Sequence, residues 1–251
     1  MYLVIDTSTR HGAVGLWRDG ALARLLTWES PHNHTSELMP AVEEVLGADG
    51  AAPSDIRGIA VAHGPGGFSA LRAGLGVAKG LAFALSVPAV GVSTLEATAY
   101  PHRDAGYPVC AVIEAGRELV AWARFAATAD GFERRKPDRV TPLDRLLAAA
   151  GRHTLFCGEG AAVHADALRE AMGRRAHFAP DDAPAGRLAG VAELGARLLD
   201  RGEGTSPGDV QPHYGRPPTI TPPKQGTSPA PIKRGAARSA IGRLRPPGNI
   251  A

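Results

Sequence analysis

The chain has 251 residues, 44% of them apolar and only 5% aromatic, so its core is expected to be built mainly from Ala, Val and Leu. Its net charge of +3 is unevenly placed: seven basic residues and no acid lie after residue 209, which leaves a net-acidic body and a basic tail. Two cysteines exclude a disulfide framework, MYLVIDTSTR lacks the charged start and long apolar run of a secretory leader, and no stretch of about 18 apolar residues predicts a membrane span.

YLVIDTS is a short apolar strand running into turn formers; GAVGLWRDG follows at hairpin distance, with Asp19-Gly20 as a two-residue turn; ALARLLTWE returns as a third strand. TSELMPAVEEVL spaces Leu38, Val42, Val45 and Leu46 as one face of a helix over 35–47, with Thr35 or Ser36 as cap and Pro40 in its first turn. IRGIAVAHG is a buried strand ended by Gly64-Pro65-Gly66. A helix follows over 68–85, then the strand VPAVGVS and the short helix STLEATAY.

Much of this order recurs. YPVCAVIEAG and ELVAWARF form a second strand pair, with a third strand near GFERRKPDRV. LDRLLAAAG is a helix, HTLFCGEG a strand with a glycine turn, and AAVHADALREAM another helix. AGRLAGVAELGARLLDRG is the last helix, with Leu188, Val191, Leu194 and Leu198 on one face. Two βββαβα-like halves predict a duplicated α/β domain whose halves meet near residues 100–107. The expected divisions are 1–103, 104–204 and a tail over 205–251. Ten of the 21 prolines lie between Pro207 and Pro247, and that composition predicts disorder.

The stretch HGPGGFSALRAGLGVAKGLAFAL looks at first like a phosphate loop, but it fails both phosphate fingerprints. Lys79 is followed by Gly80, not Ser or Thr, and the sixth position after Gly64 and Gly66 is Ser69. The remaining alternatives there are an anion site at the helix start and a plain tight turn. Gly74, Gly76 and Gly80 sit inside the helix at about 0.8–1 kcal/mol each relative to Ala, so packing must return about 3 kcal/mol. Ala73, Gly76, Gly80 and Ala84 make one side-chain-poor stripe roughly 15 Å long. Either the helix lies tight on its own sheet, or a neighbouring or partner helix uses the stripe. Arg72 in the first turn opposes the helix dipole, which calls for a nearby carboxylate or anion, or for solvent.

LVIDTS, HTSELMP, GPGGFSALRAGLGVAKGLA and VPAVGVSTLEA together resemble the bacterial TsaB family over residues 2–98. The second half resembles it in outline, through VIEAGRELVAWARF, CGEGA and PHYGRP. The resemblance implies an actin-like ATPase (ASKHA) fold with two βββαβα subdomains. It implies a non-catalytic scaffold that pairs with a TsaD homologue in making N6-threonylcarbamoyladenosine in tRNA. It further implies that the helices over 35–47 and 68–85 meet TsaD, that a TsaE homologue joins with ATP, and that the chain alone forms a homodimer through the same two helices. Carried onto this sequence, the partner surface involves Leu38, Val42, Leu71, Arg72, Ala73, Gly76 and Gly80. It implies no cofactor for the chain alone, ATP or ADP with Mg in the complex, and contact with tRNA through the complex; the two cysteines, read as reduced thiols, and the lack of a leader or long apolar run give a cytoplasmic location and no membrane as expectations. The chain departs from the family pattern at Gly67 and Ser69, where Ser and Thr are usual, and at Glu114, where Asp is usual.

Working ATPases of that fold place a metal-linked carboxylate and phosphate-holding hydroxyls where Asp6, Thr7 and Ser8 stand. The second half offers Gly158, Glu159 and Gly160 as a thin counterpart. A degenerate nucleotide site is the expectation, and an active ATPase or small-molecule kinase is the alternative. His32 and His34, with Glu37 or the more distant His63, lack a third ligand at metal spacing, so capping or surface roles are expected. The basic tail is either an inert extension or a strand of cations along tRNA phosphates.

Overall fold

The structure, a computed structural model, describes residues 1–30, 33–116, 118–129, 131–180 and 183–215. β1 (Tyr2–Asp6), β2 (His11–Arg18) and β3 (Ala21–Glu29) form an antiparallel meander. β4 (Gly58–Gly64) and β5 (Ala89–Ser93) add in parallel beside β1, giving the order β3-β2-β1-β4-β5. α1 (His34–Asp49), α2 (Phe68–Leu85) and α3 (Thr94–Ala99) connect them.

The second sheet repeats this plan. β6 (Val109–Glu114), β7 (Leu119–Thr128) and β8 (Gly131–Pro142) form the meander; β9 (Thr154–Cys157) and β10 (Ala176–Phe178) extend it in parallel. The order is β10-β9-β6-β7-β8, the same arrangement read from the other end. α4 (Leu143–Ala149), α5 (Glu159–Val163) and α6 (Ala165–Met172) belong to this half, and α7 (Ala183–Asp200) closes the series. The duplicated α/β fold expected from the sequence is present.

Alternation along β1 explains the layering. Leu3 and Ile5 face one side, where Leu38, Val42 and Val45 of α1 and Leu75, Ala78 and Ala82 of α2 cover them. Val4 faces the other side, against Leu188, Val191 and Ala192 of α7. Both faces of β1 are therefore buried, which is why LVI reads as an unbroken apolar run.

Four expectations are corrected by this packing. α7 does not belong with the second half; it returns to cover the first sheet. Disorder from residue 205 fails for residues 205–215. Ala89 and Thr205 exchange backbone hydrogen bonds (3.0 and 3.2 Å), the His213 amide donates to the His63 carbonyl (2.7 Å), and Val210 enters the first core. Residues 216–251 lie outside the described residues. α1 begins a residue early, after Asn33 and without a side-chain cap, so Pro40 falls in its second turn. Finally, Leu38, Val42 and Leu71, expected at a partner surface, are core residues no more than 2% exposed. The helical spacing located the buried stripe, and that stripe serves the chain's own sheet.

The two sides of α2 should respond oppositely to small substitutions. Leu71→Ala should cost about 2–5 kcal/mol in urea unfolding. Gly76→Ala, whose new Cβ would meet nothing within 4 Å, should gain about 0.8–1 kcal/mol.

Candidate functional site

Arg187 on α7 lies at the junction of the two halves and is 1% exposed. Its Nε donates to Asp6 Oδ2 at the end of β1 (2.5 Å), one terminal nitrogen donates to Glu159 Oε2 at the start of α5 (2.6 Å), and the other to Thr9 Oγ1 (3.0 Å). The second oxygen of Asp6 accepts from the Ser8 amide (2.9 Å) and hydroxyl (2.6 Å). Burial opposes the Arg187 charge, but Asp6 and Glu159 more than offset it and raise its pKa. Burial likewise pushes Glu159 upward; the Arg187 charge and the Thr9 hydroxyl outweigh it and hold the carboxyl below its ordinary value.

The six residues expected at a nucleotide site are thus brought to one region, where all but one oxygen of Glu159 are taken up by contacts within the chain. Asp6 is saturated by Arg187 and Ser8. Thr7 Oγ1 donates to the Ala70 carbonyl (2.7 Å), in the space left by Gly74, where a Cβ would stand 2.4 Å from that oxygen. Gly158 and Gly160 bring their turn against the β6 backbone: added Cβ atoms would lie 2.5 Å from the Val112 carbonyl oxygen and 2.9 Å from Ile113. Glu159 Oε1 is buried with no hydrogen-bond partner, and Glu114 is exposed. A guanidinium stands between the two acids, and these residues do not fit a magnesium nucleotide. Gly66 answers the same question for the glycine loop. A Cβ there would lie 2.2 Å from the Ser8 carbonyl oxygen, and the Gly67 amide donates to that oxygen (2.8 Å). The loop exists to seat α2 against the β1–β2 turn.

The other face of α2 is open. Gly76 and Gly80 are exposed with nothing near their missing Cβ atoms, Ala84 is exposed, and Ala73 is half-buried. Phe83, which the sequence reading passed over, is 81% exposed beside them. α2 alone among the described helices is long and apolar enough to cross a membrane; its mean hydropathy is 1.3, yet only 28% of it is buried. Arg72 is not ion-paired with an acid among the described residues. Its Nε donates to the Tyr214 hydroxyl (3.0 Å) and its guanidinium lies 3.9 Å over the Phe68 ring, which stacks on Tyr214.

The histidines take structural roles. His34 is buried, with Nε2 bonded to the Thr9 carbonyl (2.8 Å). His63 bonds the Gln211 carbonyl (3.1 Å), and burial holds its pKa down against that bond. His32 lies outside the described residues. No group of three or more metal-ligating side chains occurs among the described residues. Cys110 and Cys157 are buried thiols outside any disulfide, and burial pushes Cys110 up to about 12, which leaves it unreactive. Sequence reasoning missed Arg187 and Thr9. The available signal was one arginine adjoining the apolar face of an otherwise well-patterned helix.

The sequence profile described as "TsaD: tRNA N6-adenosine threonylcarbamoyltransferase" matches residues 29–199. The chain is 35% identical over 132 residues to the tRNA threonylcarbamoyladenosine biosynthesis protein TsaB of Escherichia coli, spanning 52% of this chain and 57% of that protein. It is 30% identical over 177 residues to the protein of that name in Bacillus subtilis, spanning 69% and 77%. Among solved structures it resembles YeaZ from Pseudomonas aeruginosa, with a TM-score of 0.70 and 29% identity over 85% of this chain and 98% of that one.

Arg187→Met strands two buried acids and should cost about 3–5 kcal/mol at pH 7. The pH dependence should also invert. The depressed Glu159 carboxyl stabilises the wild type above the ordinary carboxylate value, and this is lost as pH falls through its folded value. In the variant, burial alone raises that carboxyl, so the deficit should narrow as pH falls from 7 towards 5, measured by urea unfolding across that range.

Proposed function

Because the chain belongs to the TsaB family of the actin-like ATPase superfamily, we propose that it is an accessory subunit of tRNA threonylcarbamoyladenosine synthesis. It catalyses no step alone and pairs with the transferase TsaD through the outer side of α1 and α2. The observation that carries this reading is the α2 face: two open glycines, an exposed alanine and a phenylalanine 81% exposed. A helix that gives up about 0.8–1 kcal/mol at each of two exposed glycines must recover it elsewhere. Close approach of another backbone to that smooth strip, with Phe83 inserted into the partner, supplies the return.

The filled junction supports the non-catalytic part. A metal-bound nucleotide would have to displace Arg187 from both acids and then compensate the buried guanidinium. In this reading the chain needs no cofactor of its own. ATP or ADP with Mg enters with TsaE in the complex, tRNA is reached through that complex, and two copies pair by the same helices when TsaD is absent. The work takes place in the cytoplasm.

Gly76→Trp and Phe83→Asp, both on the open face, should weaken TsaD binding by about thirtyfold or more without unfolding the chain, as far-UV circular dichroism would show. Co-purification at wild-type affinity would overturn the assigned surface. ATP turnover by the purified chain, abolished by Asp6→Ala, would overturn the non-catalytic role.

A further inference from the structure

We infer that the edge of the second sheet where β6, β9 and β10 begin is a contact surface for unpaired RNA bases, such as a tRNA loop. The inference rests on the functional reading above only for the identity of the RNA. Register defines the surface. Val109, Leu155 and His177 are paired across the three strands, so Tyr107, His153 and Arg175, each two residues earlier, share the row just outside the sheet. Neighbouring strands lie about 4.8 Å apart, so that row is compact. Arg152 and Arg174 stand one position further out.

Three rings gather there. The Tyr107 ring stacks on His177 with centroids 4.1 Å apart and planes 15° apart. His153 joins edge to edge, its Nδ1 3.2 Å from His177 Nε2, with planes 27° apart. Tyr107 is 42% exposed and His153 is exposed. The result is a nearly parallel group of planar rings at the surface, the geometry on which an unstacked base can be laid.

The charge around the rings is one-sided. Arg152 and Arg174 are exposed and have no ion-pair or hydrogen-bond partner among the described residues, and Arg175 is tied only through Nε to the Met172 carbonyl. In segments 102–108, 150–153 and 173–176 the sole carboxylate is Asp104, paired with Arg103 at 3.7 Å. These segments contain no large aliphatic side chain, so the exposed apolar surface they offer is the Tyr107 ring. Free guanidinium groups around stackable rings match phosphates strung between bases. The patch sits on the second sheet and the α1–α2 face on the first, so each is mutated without touching the other.

The test uses the full chain and an unmodified tRNA transcript, with affinity measured over a range of salt. Tyr107→Ala should weaken binding about fivefold or more, the effect of one lost base stack. Arg152→Gln with Arg174→Gln should lower the slope of log K against log[salt] by about 1.4, two single-strand phosphate contacts. Where Tyr107→Ala shifts the melting midpoint, Tyr107→Phe should bind like wild type, and the exposed arginine pair decides the matter. Wild-type affinity and slope in both sets, as when the seven cations of the tail do all the binding, would overturn the inference. Equal competition by duplex RNA would overturn it too. Pairing of the same variants with TsaD should be unchanged. Failure of the wild type to pair with TsaD would defeat the functional reading and leave the RNA result standing.

Discussion

A single buried guanidinium ties an acid of one half of this protein to an acid of the other. Arg187 reaches Asp6 at the end of the first strand of one half and Glu159 at the first helix after β9 in the other. Removing one ion from water costs several kcal/mol even after relaxation, so such a group persists only where its partners are close and well directed. Here three of its five N–H donors have acceptors within 3.0 Å. Proteins that take ligands between two lobes generally open and close around them. In this chain a buried pair of ion contacts spans that junction instead.

The same economy recurs around this pair. Residue types that hold phosphate elsewhere are turned inward. A threonine hydroxyl fastens α2, a serine fastens Asp6, and three glycines allow backbones to touch. Each substitution of purpose is small in chemistry and complete in consequence. These groups are spent inside the chain, and the departures from ordinary globular design are left on the outside, on α2 and at the open edge of the second sheet.

The duplicated topology was legible because strand alternation, helical spacing and turn residues agree locally in both halves. The helix over 68–85 could be read to the residue. What could not be read was which face of α1 and α2 a partner would meet. Leu38, Val42 and Leu71 carry the helical period of a buried stripe, and the period alone does not say whether the chain or a partner buries it. Phe83 was overlooked for the matching reason, since an apolar residue is assumed to be covered. The junction acids were found, but their partner lies 181 residues from Asp6 in sequence. No local pattern announces a pair at that distance. Residues 205–215 misled by composition: Thr205, Val210 and His213 find specific partners at β5, the first core and His63, and these outweigh a proline-rich background.

The return of α7 and residues 205–215 to the first sheet bears on how the chain is made. One face of that sheet lacks most of its cover until residue 183 and beyond has left the ribosome, and the backbone bond to His63 waits for residue 213. Contacts this far apart in sequence delay the committed step of folding. The amino-terminal half therefore cannot complete itself during synthesis while the second half is still emerging. The second sheet, whose strands all lie between residues 109 and 178, has no such debt and can mature first, reversing the usual order of vectorial assembly.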